Sequence, residues 1–384
     1  MDPYKLLGIN RINGASLRRR AVFAVSPPSN LPLTGDAAAP PPQSSLSKDV
    51  PLDPRLGTWL RIFLPSGGEG GDDHRRSLPL VVDFHGGGFV LFSAASTPFH
   101  KMCSRVAAEL PAIVVAVEYR LAPEHRLPAA YDDAVAAILW LRNQAAAAIS
   151  PPRPGSEEAD PWLARADFSR CFLSGTSAGG NIVYHAARRL LVEDPQNLSP
   201  LQIRGLILNQ PFFGGVERTP SEKAMIEDKI LPLPITDLLW ELSLPEGADR
   251  DHAFCNPMLH HRRRLHHRRE QPPLLPRCLV RGFLGDPLID RQRDLVAILA
   301  EQAEGTVALL DREGFHCVDI FDPGQSDTFL ADVKQFIFSS PSSPSAAGSI
   351  SRYRPPVPPP LPAISPLQRM IKTLIPHQQI IKHH

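Results

Sequence analysis

A short glycine-rich turn between an apolar run and a helix-compatible segment constrains this chain most. Gly175-Thr176-Ser177-Ala178-Gly179 follows the apolar run 171–173, and residues 181–191 have the composition of a helix. This is the G-x-S-x-G pattern in a strand-turn-helix context, which is typical of a nucleophile elbow. Because glycine has no Cβ, Gly175 and Gly179 allow the strand and the helix to pass closely while the Ser177 hydroxyl points outward. The motif is short, so its meaning depends on the groups that an activated serine requires elsewhere.

Length and charge exclude several classes of partner. The chain has 384 residues, of which 43% are hydrophobic, so it can bury one large core or two ordinary ones. Its 41 basic and 40 acidic residues leave a net charge of +1. No overall field therefore favours nucleic acid or an anionic membrane, and we expect a small-molecule partner.

The cysteines and the N-terminus indicate a reducing compartment. Five widely spaced cysteines without a C-x-x-C pair argue against a disulfide framework or a structural zinc site. The first eight residues contain no apolar signal core, and no stretch approaches the 18 apolar residues of a membrane span. We therefore expect a cytoplasmic chain with no membrane association and no metal site.

Strand-like and helix-like segments alternate along most of the chain. Apolar or alternating runs predict strands at 58–64, 78–84, 112–117, 171–173, 203–208, 277–282 and 306–310. Helices are predicted at 99–110, 129–148, 181–191, 235–244, 289–304 and 328–338. This alternation predicts an α/β fold with a mostly parallel central sheet and helices on both faces.

Four segments do not follow this alternation of strands and helices. Residues 1–50 contain a proline- and serine-rich stretch and are predicted to form an N-terminal cap segment, ahead of the main domain at 51–338. Residues 212–258 are predicted to be a cap insertion. A basic loop follows at 259–276, whose histidine and arginine cluster at 260–269 favours a solvated loop over an anion, nucleic-acid or metal site. The proline-rich tail, 339–384, is predicted to be disordered.

A serine hydroxyl needs a base, and the base needs a carboxylate that orients it. Asp286 follows one predicted strand and His316 follows the next, so the chain order is Ser, Asp, His. Ser177, Asp286 and His316 are therefore the predicted catalytic residues. Asp290 remains an alternative carboxylate, in which case Asp286 would cap the following helix.

The reaction also requires hydrogen-bond donors for the oxyanion that forms on the substrate. His85-Gly86-Gly87-Gly88 ends a predicted strand, as the HGGG motif of lipases and esterases does. The backbone amides of Gly87, Gly88 and Ala178 are the predicted oxyanion hole. His85 is predicted to hold the glycine loop through a backbone hydrogen bond, and Gly86 to shape that loop.

The pocket is less well defined by the sequence. Phe89, Phe212 and Phe213 lie near predicted strand ends and are candidates for the acyl or alcohol pocket, with a place in the core equally open. His185 follows the elbow within the predicted helix and is expected on the helix surface.

Together these motifs resemble the plant carboxylesterase family, in the hormone-sensitive-lipase branch of the α/β-hydrolases. The matching motifs are His85-Gly86-Gly87-Gly88-Phe89, Tyr119-Arg120-Leu121-Ala122-Pro123-Glu124-His125, Gly175-Thr176-Ser177-Ala178-Gly179-Gly180-Asn181, Asp286-Pro287-Leu288-Ile289-Asp290 and Gly314-Phe315-His316. The resemblance covers residues 2–338. It implies an α/β-hydrolase fold, a cap built from the N-terminal segment and the insertion, and hydrolysis of short-chain acyl esters through an acyl-enzyme without a cofactor.

Two other functions occur among such proteins. The gibberellin-receptor relatives lack the histidine and the third glycine of the HGGG motif, whereas this chain has His316 and Gly88, which favours catalysis over ligand reception. A related dehydratase group keeps a similar site and stays open as an alternative. Many relatives have Asp where this chain has Thr176, outside the predicted triad. The motifs define neither the natural ester nor the oligomeric state.

Overall fold

The computed structural model describes residues 2–13, 16–19, 23–29, 45–66, 77–149, 159–193, 196–260 and 274–339. Most of the predicted basic loop and all but the first residue of the predicted tail lie outside these ranges. The same holds for most of the proline-rich stretch of the N-terminal segment.

The strands and helices alternate through the main domain. The strands are β1 (Ile9–Asn13), β2 (Ser16–Arg19), β3 (Ser45–Asp53), β4 (Thr58–Pro65), β5 (Leu78–Phe84), β6 (Ile113–Glu118), β7 (Ala166–Thr176), β8 (Ile203–Asn209), β9 (Cys278–Gly285) and β10 (Thr306–Phe315). The α-helices are α1 (Pro3–Leu6), α2 (Thr97–Glu109), α3 (Ala129–Ile149), α4 (Ala178–Arg188), α5 (Pro220–Ala224), α6 (Leu233–Ser243), α7 (Ile289–Gln302), α8 (Val318–Phe321) and α9 (Pro323–Phe338). None of these helices has both the length and the apolar character needed to cross a bilayer.

Eight strands form the central sheet in the order β10-β9-β8-β7-β5-β6-β4-β3. The six strands from β10 to β6 are parallel, whereas β4 pairs antiparallel with β6, and β3 pairs antiparallel with β4. The predicted fold class, a mostly parallel sheet between helices, is confirmed. In such sheets the carboxyl ends of the strands meet at one edge, where ligand sites form.

Alternate residues of each central strand enter two different cores. On β7, Leu173 belongs to the core under α3, α4 and α7, while its neighbour Phe172 belongs to the core under α2 and α9. On β8, Leu206 and Ile207 divide in the same way. Since successive side chains of a strand point to opposite faces, a stretch buried on both faces must be apolar, as 171–173 of β7 and 205–208 of β8 are.

Strand β3 is not among the predicted strands. Its sequence, Ser-Leu-Ser-Lys-Asp-Val-Pro-Leu-Asp, alternates only weakly and contains Pro51. Proline lacks a backbone donor and is tolerated at a sheet edge, and β3 is the edge strand next to β4. The strand also crosses residue 50, so the N-terminal segment is joined to the sheet by a continuous strand.

Two segments lie over the strand ends. The first is the N-terminal strap, which we define as the described residues 2–13, 16–19 and 23–29 and which contains α1 and the paired strands β1 and β2. The second contains α5 and α6 and lies within the predicted insertion. The strap contacts α6 through Arg11, whose guanidinium donates to Glu241 at 2.9 Å. Leu7 of the strap and Leu239 of α6 line the same cavity as Ser177.

Candidate active site

Ser177 occupies the sharp turn between β7 and α4. Its backbone has φ 56° and ψ −116°, a conformation that side-chain-bearing residues rarely adopt. The turn leaves no room for side chains at the neighbouring glycines, because a Cβ on Gly179 would lie 1.8 Å from the carbonyl oxygen of Phe84. The Ser177 amide donates to the Asn209 carbonyl at 2.9 Å, which ties the turn to β8. The local sequence thus holds the serine at the carboxyl edge of the sheet.

The structure brings Ser177, His316 and Asp286 together in one hydrogen-bonded chain. His316 Nε2 lies 3.0 Å from Ser177 Oγ, and His316 Nδ1 lies 2.9 Å from Asp286 Oδ2. All three side chains are buried. Because an ionised carboxylate only accepts hydrogen bonds, Nδ1–H donates to Asp286, and in the neutral imidazole the lone pair of Nε2 then faces the serine hydroxyl.

Asp286, rather than Asp290, contacts the histidine. Asp286 Oδ1 accepts from the Leu288 amide at 2.9 Å, and its Oδ2 also accepts from Gln292 Nε2 at 2.9 Å. Asp290 instead accepts from the Ser221 amide at 2.8 Å, at the start of α5. Gln292 is not among the predicted site residues, although a polar residue on the buried face of a helix is a signal for such a contact.

Two opposing effects act on the pKa of His316. Burial lowers the pKa of the imidazole, but the charge of Asp286, with a contribution from Cys317 and the hydrogen bond to Asp286, outweighs it. The pKa is raised well above the ordinary value of 6.5. The carboxylate therefore stabilises a proton on this histidine.

His85 has the opposite environment. Burial lowers the pKa of its imidazole to about 4, so the ring is neutral at physiological pH. Its Nδ1 lies 2.7 Å from the Gly86 carbonyl oxygen, and its ring stacks on Tyr119 with centroids 4.2 Å apart. The Tyr119 hydroxyl donates to the His85 carbonyl at 2.8 Å. This arrangement agrees with the predicted role of holding the glycine loop.

The glycine loop turns its backbone toward Ser177. Gly87 and Gly88 have φ of 115° and 60°, conformations that favour glycine. Among the hydrogen bonds of the described residues, none is donated by the amides of these two glycines. Ala178 is the first residue of α4, where amides have no partner within the helix. Three free donors therefore lie around the serine.

A cavity of about 730 Å³ opens above these groups, and part of it is open to solvent. Its wall contains Gly86, Gly87, Gly88, Ser177, His316 and Cys317. The remaining wall is apolar and consists of Leu7, Leu91, Phe92, Pro98, Phe99, Phe212, Ile230, Leu231, Ile235, Leu239, Ile320 and Phe321. Half of these side chains belong to the N-terminal strap or to the predicted insertion at 212–258: Leu7, Phe212, Ile230, Leu231, Ile235 and Leu239.

Only Phe212 of the three predicted pocket aromatics lines this cavity. Phe89 packs instead against Trp240 and Tyr131, and Phe213 against Tyr184, all inside the protein. The pocket prediction was wrong for these two residues because each side chain turns into the core beside its strand end.

The surface prediction for His185 was also wrong. Its ring is buried and stacks on Tyr131 with centroids 4.8 Å apart. Burial lowers the pKa of His185 to about 3. The helix after the elbow is enclosed on this side by the aromatic core, so a surface position does not exist there.

Comparison with known proteins places the chain among the α/β hydrolases. A family model of the alpha/beta hydrolase fold matches residues 81–319. Probable carboxylesterase 8 of Arabidopsis thaliana is 42% identical, over 91% of this chain and 97% of the relative. 3-O-acetylpapaveroxine carboxylesterase CXE2 of Papaver somniferum is 45% identical, over 77% of this chain and 91% of the relative. A metagenomic carboxylesterase, EstE1, shares the fold with a TM-score of 0.60 at 23% identity, over 78% of this chain and 90% of that chain.

The gibberellin receptor of Oryza sativa matches a smaller part of the chain. It is 40% identical over 49% of this chain and 47% of the receptor. Fold and site define the class of protein as an α/β hydrolase. Within that class the chain belongs to the plant carboxylesterase family and is a carboxylic ester hydrolase.

Proposed function

We propose that this protein hydrolyses small carboxylic esters through an acyl-enzyme on Ser177. The observation that carries the proposal is the unbroken hydrogen-bond chain from Asp286 through His316 to Ser177, which ends in a cavity beside three free amides. A serine is activated when an adjacent base accepts its proton and a carboxylate holds the base in the right tautomer.

In the first step, Ser177 Oγ attacks the ester carbonyl while His316 Nε2 takes the hydroxyl proton. The amides of Gly87, Gly88 and Ala178 donate to the oxyanion of the tetrahedral intermediate. Each such donor typically lowers the barrier by roughly 2.7–4 kcal/mol. His316 then gives its proton to the departing alcohol, and the acyl group remains on Ser177.

In the second step, water takes the place of the alcohol. His316 Nε2 accepts a proton from this water, whose oxygen attacks the acyl carbonyl, and the same three amides hold the new oxyanion. The intermediate collapses, the acid leaves, and Ser177 regains its proton from His316. The whole cycle uses groups of this chain only.

The cavity wall supports a neutral substrate. Among the residues that the structure describes, the wall side chains other than Ser177, His316 and Cys317 are apolar, and none of them carries a carboxylate, ammonium or guanidinium. A charged acyl or alcohol group would lose its hydration there without a partner. The poppy relative is named for an acetyl ester, which agrees with a small neutral acyl group.

We further propose a cytoplasmic location with no nucleic-acid or membrane partner. All five cysteines are free thiols, which suits a reducing compartment. The balance of 41 basic and 40 acidic residues provides no attraction to polyanions.

The test is turnover of p-nitrophenyl acetate together with labelling by a fluorophosphonate. We expect the wild-type protein to hydrolyse the ester and to label covalently, and Ser177→Ala to lose both. Ser169→Ala, an exposed position on the same strand, serves as the matched control and should keep both. Full turnover by Ser177→Ala, or no labelling of the wild-type protein, would refute the proposal.

A further inference from the structure

The loop that carries the oxyanion glycines has a strained backbone. Between residues 86 and 92, four residues have positive φ: Gly87 at 115°, Gly88 at 60°, Phe89 at 66° and Phe92 at 71°. Phenylalanine rarely adopts such values, and it does so only where surrounding contacts hold the backbone in place. The contacts that hold this loop therefore decide where the Gly87 and Gly88 amides point.

Three carbonyl groups of the loop are held from outside it. The Phe89 carbonyl accepts from the Ala122 amide at 2.9 Å. The Gly88 carbonyl accepts from the Ser243 hydroxyl of α6 at 3.2 Å. The Val90 carbonyl accepts from Arg19 Nε at 2.8 Å. The third contact comes from the N-terminal strap, which is distant in sequence.

Arg19 joins three separate segments through one guanidinium. Besides Val90, its Nη2 donates at 2.8 Å to the carbonyl of Ala122, the same residue whose amide holds Phe89. The guanidinium of Arg19 forms a bidentate ion pair with Glu124, with Nη1–Oε1 and Nη2–Oε2 distances of 3.0 and 2.8 Å. Glu124 also accepts from the Leu17 amide at 3.2 Å, so it contacts β2 at two residues, Leu17 and Arg19. Only a planar, multidonor group can make these contacts together.

The strap has a second anchor that differs in kind. Arg11 pairs with Glu241 of α6, and 45% and 62% of the two side chains are exposed. Arg11 Nη2 also donates to the Tyr4 hydroxyl of α1 at 2.7 Å, so the pair joins α1 and β1 to α6. Among the hydrogen bonds of the described residues, Arg11 makes none to the glycine loop. The strap is therefore held in two places, by Arg19 at the glycine loop and by Arg11 at α6.

We propose that Arg19 is a positioning residue for the oxyanion hole. By fixing the Val90 and Ala122 carbonyls, it keeps the Gly87 and Gly88 amides directed at the substrate oxygen. Glu124 holds the guanidinium in the orientation that this requires. The inference rests on the proposed function, because it assigns these amides to the oxyanion.

The first experiment measures steady-state hydrolysis of p-nitrophenyl acetate by Arg19→Ala, Arg19→Lys and Arg11→Ala. Loss of one oxyanion donor typically costs a factor of about 100 to 1000 in kcat, so a displaced loop should cost about 10-fold or more in Arg19→Ala. KM should change by about twofold or less, since ground-state binding uses the apolar wall. Arg19→Lys should remain impaired, and Arg11→Ala should keep kcat within about twofold of wild type.

A second measurement separates positioning from general loosening. A trifluoromethyl ketone mimics the tetrahedral oxyanion, so its affinity should fall in Arg19→Ala by about the same factor as kcat. Acetate, the product, should inhibit both proteins equally. Added guanidinium should restore part of kcat in Arg19→Ala only. Equal losses in Arg19→Ala and Arg11→Ala, or unchanged ketone affinity, would overturn the inference.

Hydrogen exchange distinguishes failure of this inference from failure of the proposed function. The amides of residues 86–92 should exchange faster in Arg19→Ala than in wild type. Exchange is measured at a temperature at which both proteins are folded, and their thermal unfolding temperatures should be equal. If the wild-type protein neither hydrolyses esters nor labels, the proposed function fails, and the role of Arg19 in the oxyanion hole fails with it. If the wild-type protein is active and exchange at 86–92 is unchanged by Arg19→Ala, only the positioning role is overturned.

Discussion

The sheet edge and the cap above it contribute different kinds of groups to one cavity. The sheet edge supplies the polar groups: Ser177 after β7, Asp286 after β9 and His316 after β10. The strap and α6 supply apolar side chains such as Leu7 and Leu239. The chemistry therefore depends on a rigid parallel sheet, whereas the size and shape of the substrate depend on segments that pack over it.

The two regions also differ in how they are held. The polar groups are fixed by buried hydrogen bonds, including those of Asp286 with Leu288 and Gln292. The outer anchor of the strap is the exposed pair of Arg11 and Glu241. Exposed pairs typically stabilise a protein by only about 0–1 kcal/mol. Changes at the sheet edge should therefore abolish function, and changes in the cap should alter it.

The largest effect is expected for Asp286→Asn. An asparagine there favours the wrong tautomer of His316, and in comparable triads this lowers kcat by about 10⁴-fold. Asp290→Asn is the matched control, because its carboxylate contacts the Ser221 amide and Arg293 rather than the histidine. Its kcat should stay within about tenfold of wild type. Ester turnover by both variants provides the measurement, and a larger loss in Asp290→Asn would reverse the assignment.

Gly179→Ala tests how tightly the sheet edge is built. The added Cβ would lie 1.8 Å from the Phe84 carbonyl, so the backbone of β5 or α4 must move. Overpacking of this kind typically costs about 1–3 kcal/mol, and a collision with backbone should cost the upper value or more. Gly305→Ala has no atom within 4 Å of the new Cβ and should change stability by less than about 1 kcal/mol. Urea unfolding of the two variants compares them, and equal stabilities would contradict the tight packing at the elbow.

The pKa of His316 predicts opposite pH dependences for activity and stability. Its pKa is raised in the folded protein above the ordinary value of 6.5. Protonated His316 therefore stabilises the fold fully below about pH 6.5, and this contribution is lost as the pH rises through the folded-state pKa. Activity needs the neutral imidazole, so kcat/KM should rise about tenfold per pH unit below that pKa.

The pH profile of kcat/KM, with unfolding free energies over the same range, measures both trends. Asp286→Asn is the control: without the carboxylate, only Cys317 opposes the effect of burial on the pKa of His316, and the midpoint should move to lower pH. A wild-type midpoint clearly below 6.5 would contradict the dominant influence of Asp286.

The smallest effect is expected in the cap, for Leu239→Ala. The Leu239 side chain fills the space above Gly88, since a Cβ on that glycine would lie 2.4 Å from Leu239 Cδ1. Its truncation should enlarge the cavity and raise kcat/KM for p-nitrophenyl hexanoate relative to the acetate by about 10-fold, the range in which apolar pockets discriminate chain length. Leu274→Ala, at a position 52% exposed, should leave the ratio unchanged. An unchanged ratio in Leu239→Ala would mean that another residue limits chain length.

The elbow was predictable because its geometry is local. The glycines at 175 and 179 and the strand-turn-helix context suffice to place Ser177 at a strand end. The local sequence does not distinguish Asp286 from Asp290 as the carboxylate that contacts the histidine, because both residues follow β9. Only the packing of α5 against α7 directs Asp290 to Ser221. Strand β3 was not predicted, because its hydrophobic alternation is weak and it forms a strand through its pairing with β4.

The sequence by itself determined the parallel sheet, the order of the three polar groups along the chain and the glycine loop, since each depends on hydrophobic period or on residues without a Cβ. Only the tertiary structure decided which aromatics face the cavity, where His185 lies, and that Arg19 contacts the Val90 carbonyl. These features depend on contacts between segments far apart in sequence, and such contacts leave no periodic signal in the chain.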